Sequence, residues 1–331
     1  MNKSLGIYNI FDDEGIKRSI SNVLKSDVKY NTFVTPKGLK ELRMEISRFL
    51  ERVWNYKIDY NKMLITTGSQ QSINLLASSL IKDGDVIFVE QPTYYGAIDV
   101  FKKKNIKMVG IDITEDGFDL EVLERKVKIY KPKFIYVVPT FNNPTGYAWS
   151  NINRKEFLKI INKYNILVIE DDPYSLINFT NNKYRSLYEL NKGRNVIYLG
   201  TFSKIISPSI NVGYIVCDKI ELLYPYKKSF DLCTNVFLQY VVLDYLKKNC
   251  LEQVINNKIV YYKKALKGSI KDLQSRYNKQ IEYITKAKGG LFYFVKFKDR
   301  VNLDEFEDGS SYFIDGNHDN STRINICSIV L

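Results

Sequence analysis

Lys204 closes the run Thr201-Phe202-Ser203-Lys204, directly after the apolar stretch NVIYLG. A lysine at the carboxyl end of a buried strand is desolvated, which lowers its pKa and frees its amine for attack on a carbonyl carbon; the ordinary alternative is a solvated surface lysine. Four other apolar stretches end in the same manner. ILVIE runs into Asp171-Asp172-Pro173-Tyr174, where a carboxylate either caps the next helix or holds a buried cation. KFIYVVP runs into Phe141-Asn142-Asn143-Pro144-Thr145-Gly146, which taken alone is a turn. VIFVEQ runs into Pro92-Thr93-Tyr94-Tyr95, whose tyrosines either lie on a planar ring or pack in the core. MLITT runs into Gly68-Ser69-Gln70-Gln71, a turn into a helix whose first N–H groups lack internal partners and suit an anion or a simple cap.

Several chemistries are excluded by what is missing. His318 is the only histidine, so Ser-His-Asp and Cys-His nucleophile systems and histidine-rich zinc sites have almost nothing to be built from. Cys217, Cys233, Cys250 and Cys327 lie far apart and form no CxxC pair, which predicts buried thiols and no metal site. Proton handling then falls to Lys, Asp, Tyr or a bound cofactor.

The elements that must position these residues follow from periodicity. MLITT, VIFVEQ, IKMVGI, KFIYVV, ILVIED, NVIYLG and GYIVC are of strand length and apolar on both faces, as buried parallel strands are. Helical patterns such as QQSINLLASSLI, YYGAIDVFKKK, LEVLERKVKIY and RKEFLKIINKY lie between them. The alternation predicts an α/β fold with a mostly parallel, seven-stranded sheet covered on both faces, and ligands at the carboxyl ends of its strands. After about residue 218 two helical stretches and the strands IEYITK, GGLFYFVKF and TRINIC predict a smaller α+β unit. The expected division is an N-terminal arm over 1–39, a large domain over 40–220 and a small C-terminal domain over 221–331.

A chain of 331 residues with 45% hydrophobic, 14% aromatic and 26% charged residues has the composition of an ordinary globule. No stretch reaches the length of a membrane helix and the first residues lack a secretory core, so a cytoplasmic location without membrane contact is expected. The net charge of +12 is scattered through helical segments such as KKALKGSIKDLQSR, which argues against a nucleic-acid partner.

In combination, YVVPTFNNPTG, VIEDDPY and GTFSK resemble the class I/II aminotransferases of pyridoxal-phosphate fold type I, near the branch of 2-aminoadipate and broad-range amino-acid aminotransferases. The resemblance runs from about residue 30 to 328 and implies a homodimer that acts on an amino acid and a 2-oxo acid. It implies that Lys204 carries pyridoxal 5′-phosphate as a Schiff base and shuttles the substrate proton, and that Asp171 faces the pyridine nitrogen. It implies hydrogen bonds from Asn143 and Tyr174 to the phenolic oxygen, with Tyr94 stacked on the ring. Gly68, Ser69, Gln70, Thr201 and Ser203 would form the phosphate cradle, and Arg323 would grip the substrate α-carboxylate, with Asn143 beside it.

Two departures stand out. The family pattern S-K-x-x-x-P-G-x-R-x-G appears with Asn211 in place of its phosphate-binding arginine, and the pattern Y-G-D-P-x-G appears as Phe33-Val34-Thr35-Pro36-Lys37-Gly38, without the tyrosine hydroxyl. Lys37 of a partner subunit is an expected substitute cation. The sequence ends eight residues after Arg323, so a trimmed small domain is expected. The expected reaction is amino-group transfer. The alternatives are the same cofactor chemistry diverted to elimination, cyclisation, decarboxylation or oxidation, or a ligand-sensing regulator, for which too little sequence precedes the aminotransferase-like part.

Overall fold

The computed structural model describes residues 11–248, 251–299, 301, 306–318 and 320–327. Cys250 and the segment after Cys327 lie outside them. Its main sheet contains β1 (Met63–Thr66), β2 (Val86–Gln91), β3 (Lys107–Thr114), β4 (Gly117–Phe118), β5 (Phe134–Val137), β6 (Leu167–Asp172), β7 (Val196–Thr201) and β8 (Gly213–Val216). Their order is β1-β8-β7-β6-β5-β2-β3-β4. The ladders from β7 through β6, β5 and β2 to β3 are parallel. The sheet is thus the mostly parallel one expected, with two refinements. Its eighth strand, β4, is a two-residue hairpin partner of β3, too short for any periodic signal. The stretch GYIVC forms β8, which runs antiparallel to both β1 and β7; interior position makes it apolar on both faces whichever way it runs.

Alternation within the strands builds two cores. In β5, Ile135 and Val137 join one cluster while Phe134 and Tyr136 join the other. One face is covered by α2 (Lys40–Trp54), α5 (Leu120–Tyr130) and α6 (Asn151–Tyr164), through residues such as Ile46, Phe49, Leu123 and Phe157. The opposite face is covered by α3 (Gly68–Leu80) and α4 (Tyr95–Lys102), through Ile73, Leu76, Ala97 and Phe101. Helix starts are written locally: Asp119 Oδ1 accepts from the Glu121 and Val122 amides at 3.0 Å, and Ser150 Oγ accepts from Asn153 N at 3.1 Å. The short α7 (Leu187–Leu190) is capped by Ser186 and held by Glu170, which accepts from the amides of Leu187 and Tyr188.

The N-terminal helix α1 (Asp13–Lys25) has no partner legible from sequence. It docks on α9 (Val236–Lys248), where Asn22 donates to Asp244 at 2.9 Å and the Tyr245 hydroxyl to Asp12 at 3.0 Å. Before α9 lies α8 (Tyr224–Asp231), and after it the 27-residue α10 (Leu251–Tyr277). A second, antiparallel sheet follows, built from β9 (Ile281–Ile284), β10 (Phe292–Phe297), β11 (Glu307–Asp308) and β12 (Ser321–Asn325) in the order β11-β12-β10-β9. Its Tyr293, Val295, Phe297 and Ile324 pack on Tyr262, Ala265 and Leu273 of α10. No helix among the described residues is long and apolar enough to cross a membrane.

Candidate active site

Parallel strands end at one edge, so the turns after β1, β2, β5, β6 and β7 meet there. They line a cavity of about 320 Å³ whose wall includes Ser69, Gln70, Tyr94, Asn143, Asp171, Tyr174, Thr201, Ser203, Lys204 and Arg323. Of the residues expected to form the cofactor and substrate site within one subunit, only Gly68 is outside the wall. It opens α3 beside Ser69 at φ +73°, and a Cβ there would lie 2.3 Å from Asn211 Oδ1. Lys37 is not part of this wall; its Nζ sits 3.5 Å from the Asn61 carbonyl and 5.3 Å from the centre of the Tyr224 ring.

Asp171, the next-to-last residue of β6, has its side chain buried. Its Oδ2 accepts from the Tyr136 hydroxyl at 2.6 Å, while Oδ1 is buried and has no partner. Burial raises its pKa to about 7, opposed by the Tyr136 hydrogen bond and reinforced by Asp172. Neighbouring Asp172 caps no helix but ties the turn that follows: its Oδ1 accepts from Ser175 N at 3.0 Å and its Oδ2 from the Tyr198 hydroxyl at 2.8 Å. Lys204 sits in the turn after β7, partly buried. Burial and then the positive charge of Arg323 lower its pKa, which favours the neutral, nucleophilic amine.

Asn143 is presented by a turn clamped from beneath. Buried Glu90 accepts from Val138 N at 2.7 Å, Asn142 Nδ2 at 2.9 Å and Trp149 Nε1 at 3.0 Å. Despite these donors, burial lifts the Glu90 carboxyl to about 7. Tyr174, whose hydroxyl pairs with Asn143, is pushed up by burial, as is Tyr94, whose hydroxyl donates to Gln70 Oε1 at 3.2 Å. Thr201 Oγ1 accepts from Ser203 N at 3.2 Å and so shapes the turn that carries Lys204. Arg323, on β12, reaches across from the second sheet: its Nη1 donates to Asn143 Oδ1 at 3.1 Å.

Sequence reasoning missed Tyr136 and Glu90, which lie inside runs that read as strand. It also missed Val138, Pro208 and Phe292 on the wall; Tyr95 and Pro173, noted only within their turns, line it too. Asn211, noted only as a departure, lines the cavity too. Among the described residues no three or more His, Cys, Asp or Glu side chains are grouped to hold a metal ion.

The residues present fit a planar ring bearing an N–H and an anionic tail. The unpartnered Asp171 Oδ1 would accept from a ring N–H. The first amides of α3, with Ser69, Thr201 and Ser203, offer donors to an anion. Lys204 offers an amine to a carbonyl carbon. Beside Gly68, where the family pattern has an arginine, the wall carries Asn211.

Comparison with known proteins finds aminotransferases and also, over 56% and 57% of their own length, two uncharacterized HTH-type transcriptional regulators of Bacillus subtilis. The profile of the family described as aminotransferase class I and II matches residues 5–307. Aromatic-amino-acid aminotransferase 1 of Thermococcus litoralis is 30% identical over 81% of this chain and 66% of its own length, just under two thirds. The 2-aminoadipate transaminase of Thermus thermophilus is 31% identical over 81% of this chain and 71% of its own. Among solved structures, the kynurenine aminotransferase of Pyrococcus horikoshii in complex with PMP superposes with a TM-score of 0.89, at 30% identity, over 96% of this chain and 83% of its own.

Proposed function

The chain belongs to the class I and II aminotransferases, enzymes that work with pyridoxal phosphate, and from that premise we propose that it moves the α-amino group of an amino acid to a 2-oxo acid, with Lys204 as the residue that condenses with the cofactor. The observation that carries this reading is the pairing, on one cavity, of a depressed-pKa amine at Lys204 with a buried, unpartnered carboxylate oxygen at Asp171.

When bound, pyridoxal phosphate supplies an aldehyde carbon for the amine and a protonated ring that accepts the electron pair left when the substrate Cα loses its proton. Asp171 Oδ1 would hold that ring N–H, and the facing positive charge would favour the ionised carboxylate against the burial that otherwise raises its pKa. Asn143 and Tyr174 would hydrogen-bond the phenolic oxygen, and Tyr94 would lie on the ring. Ser69, Gln70, Thr201 and Ser203, at the N-terminus of α3 and the turn after β7, cradle the phosphate; Gly68 lets Asn211 approach. Lys204 Nζ, on the same cavity wall, would be the base that takes the substrate Cα proton and the acid that returns it. Arg323 grips the α-carboxylate, with Asn143 fixing one of its Nη groups.

The assembly we propose is a homodimer. Leu222, Phe230 and Leu232 lie close together in the chain at 60%, 49% and 50% exposure, an apolar surface suited to a second copy. Phe33, 80% exposed, belongs to the segment that the family pattern sends toward the partner's cofactor, and Lys37 of that segment would bring the missing cation.

The reaction is tested by incubating the cofactor-loaded protein with a panel of amino acids and following absorbance with mass analysis of products. Pyridoxamine phosphate and a 2-oxo acid in equal amounts are expected. Release of ammonia or carbon dioxide without pyridoxamine phosphate would replace transfer with a diverted chemistry.

A further inference from the structure

Arg323 already has a counter-ion. The register of β11 against β12 sets Glu307 directly opposite Arg323, and the Glu307 carboxylate forms an ion pair with Arg323 Nη2. That carboxylate is itself anchored, because the Tyr312 hydroxyl donates to its Oε2 at 2.6 Å. Phe292 lies against the guanidinium, with Cζ 3.9 Å from the ring centre. Arg323 is 4% exposed, and its Nε and Nη2 are buried without a hydrogen-bond partner, so the Glu307 contact is one of charge. Glu307 does not line the cavity that Arg323 lines, so it acts through the guanidinium and leaves the substrate space free.

A guanidinium grips an incoming carboxylate through charge as well as through its fork of donors. Here a fixed negative charge sits against it, on a short strand that cannot move far from β12 without losing its ladder. Donor geometry survives; most of the net attraction for a second carboxylate does not, because the arriving anion meets a pair whose charges cancel. No arginine or lysine other than Arg323 and Lys204 lines the cavity among the described residues.

Resting on the reading of Arg323 as the α-carboxylate group, we propose that Glu307 is a specificity-determining counter-ion that mutes the charge of Arg323, so that the site accepts amines whose carboxyl is absent, amidated or esterified alongside free amino acids. Glu307 is a positioning residue in this scheme, touching Arg323 and Tyr312 and not the substrate.

The test uses two ligands of one shape that differ by a charge, 3-phenylpropanoate and 3-phenylpropanamide. Each is titrated by calorimetry into cofactor-loaded wild-type and Glu307→Gln protein, with cofactor absorbance recorded in parallel. Glutamine keeps an acceptor for Arg323 and Tyr312 and removes only the charge. Wild-type protein is expected to bind the two ligands with similar affinity, and Glu307→Gln to shift the ratio toward the carboxylate by about tenfold or more. An unchanged ratio, a shift toward the amide, or no binding of either ligand to either protein would overturn the proposal. The absorbance separates this from failure of the underlying reading: a missing imine band in both proteins speaks against Lys204, whatever the ratio does.

Discussion

The Tyr136 hydroxyl donates to one oxygen of Asp171 at 2.6 Å and leaves the other oxygen buried and unpartnered. A carboxyl so placed is expensive to ionise until something cationic faces it, which is why its pKa stands near 7 in the cofactor-free site.

This has a signed consequence for stability. With a folded pKa of about 7 against the ordinary 3.8, the folded state holds a proton that the unfolded chain has released, so the contribution of Asp171 falls as pH rises between those values. At pH 8 the buried charge costs the cofactor-free protein on the order of 4 kcal/mol. Asp171→Asn should therefore raise the melting temperature of cofactor-free protein at pH 8, with the gain fading toward pH 4, and should weaken cofactor binding. Thermal unfolding at both pH values checks this; a variant less stable than wild type at pH 8 would contradict it.

Asn211 stands beside the phosphate cradle where a cation would be most useful. Asn211→Arg should tighten binding of pyridoxal phosphate by about tenfold or more, since a bidentate charged contact replaces a neutral one. Fluorescence titration of the cofactor measures it, and no gain would contradict the reading of Asn211 as a weakened phosphate contact that Lys37 of a second copy only partly replaces.

Gly68 combines φ +73° with 2.3 Å between its would-be Cβ and Asn211 Oδ1. Gly68→Ala should cost about 1–2 kcal/mol of stability and weaken cofactor binding, because both the backbone strain and the displaced Asn211 fall on the cradle. Chemical denaturation together with the same titration gives both numbers.

If the exposed apolar stretch around α8 joins two copies, charges placed there should part them. Leu222→Asp combined with Phe230→Asp should sediment at half the mass of the wild-type protein. A wild-type monomer, or a variant that remains a dimer, would rule this surface out.

Much of the cavity was legible in sequence for one reason: residues that follow parallel strands converge at the same edge, so Ser69, Tyr94, Asn143, Asp171 and Lys204 come together however the helices pack. What was illegible depends on contacts between distant elements. Tyr136 sits in KFIYVV, where a tyrosine reads as one more strand former, and only the pairing of β5 with β6 brings it beside Asp171. The direction of β8 left no trace in its composition. Glu307 lies on a two-residue strand, and its meaning comes from register with β12. His318, the lone histidine, stacks on Phe313 with ring centres 3.6 Å apart.

The most direct measurement concerns Lys204. Purified protein loaded with pyridoxal phosphate, reduced with borohydride and digested, should yield one phosphopyridoxylated peptide modified at position 204, and Lys204→Ala should lose both that adduct and the imine absorption band. An adduct at another lysine, or an unchanged band in Lys204→Ala, would contradict the account.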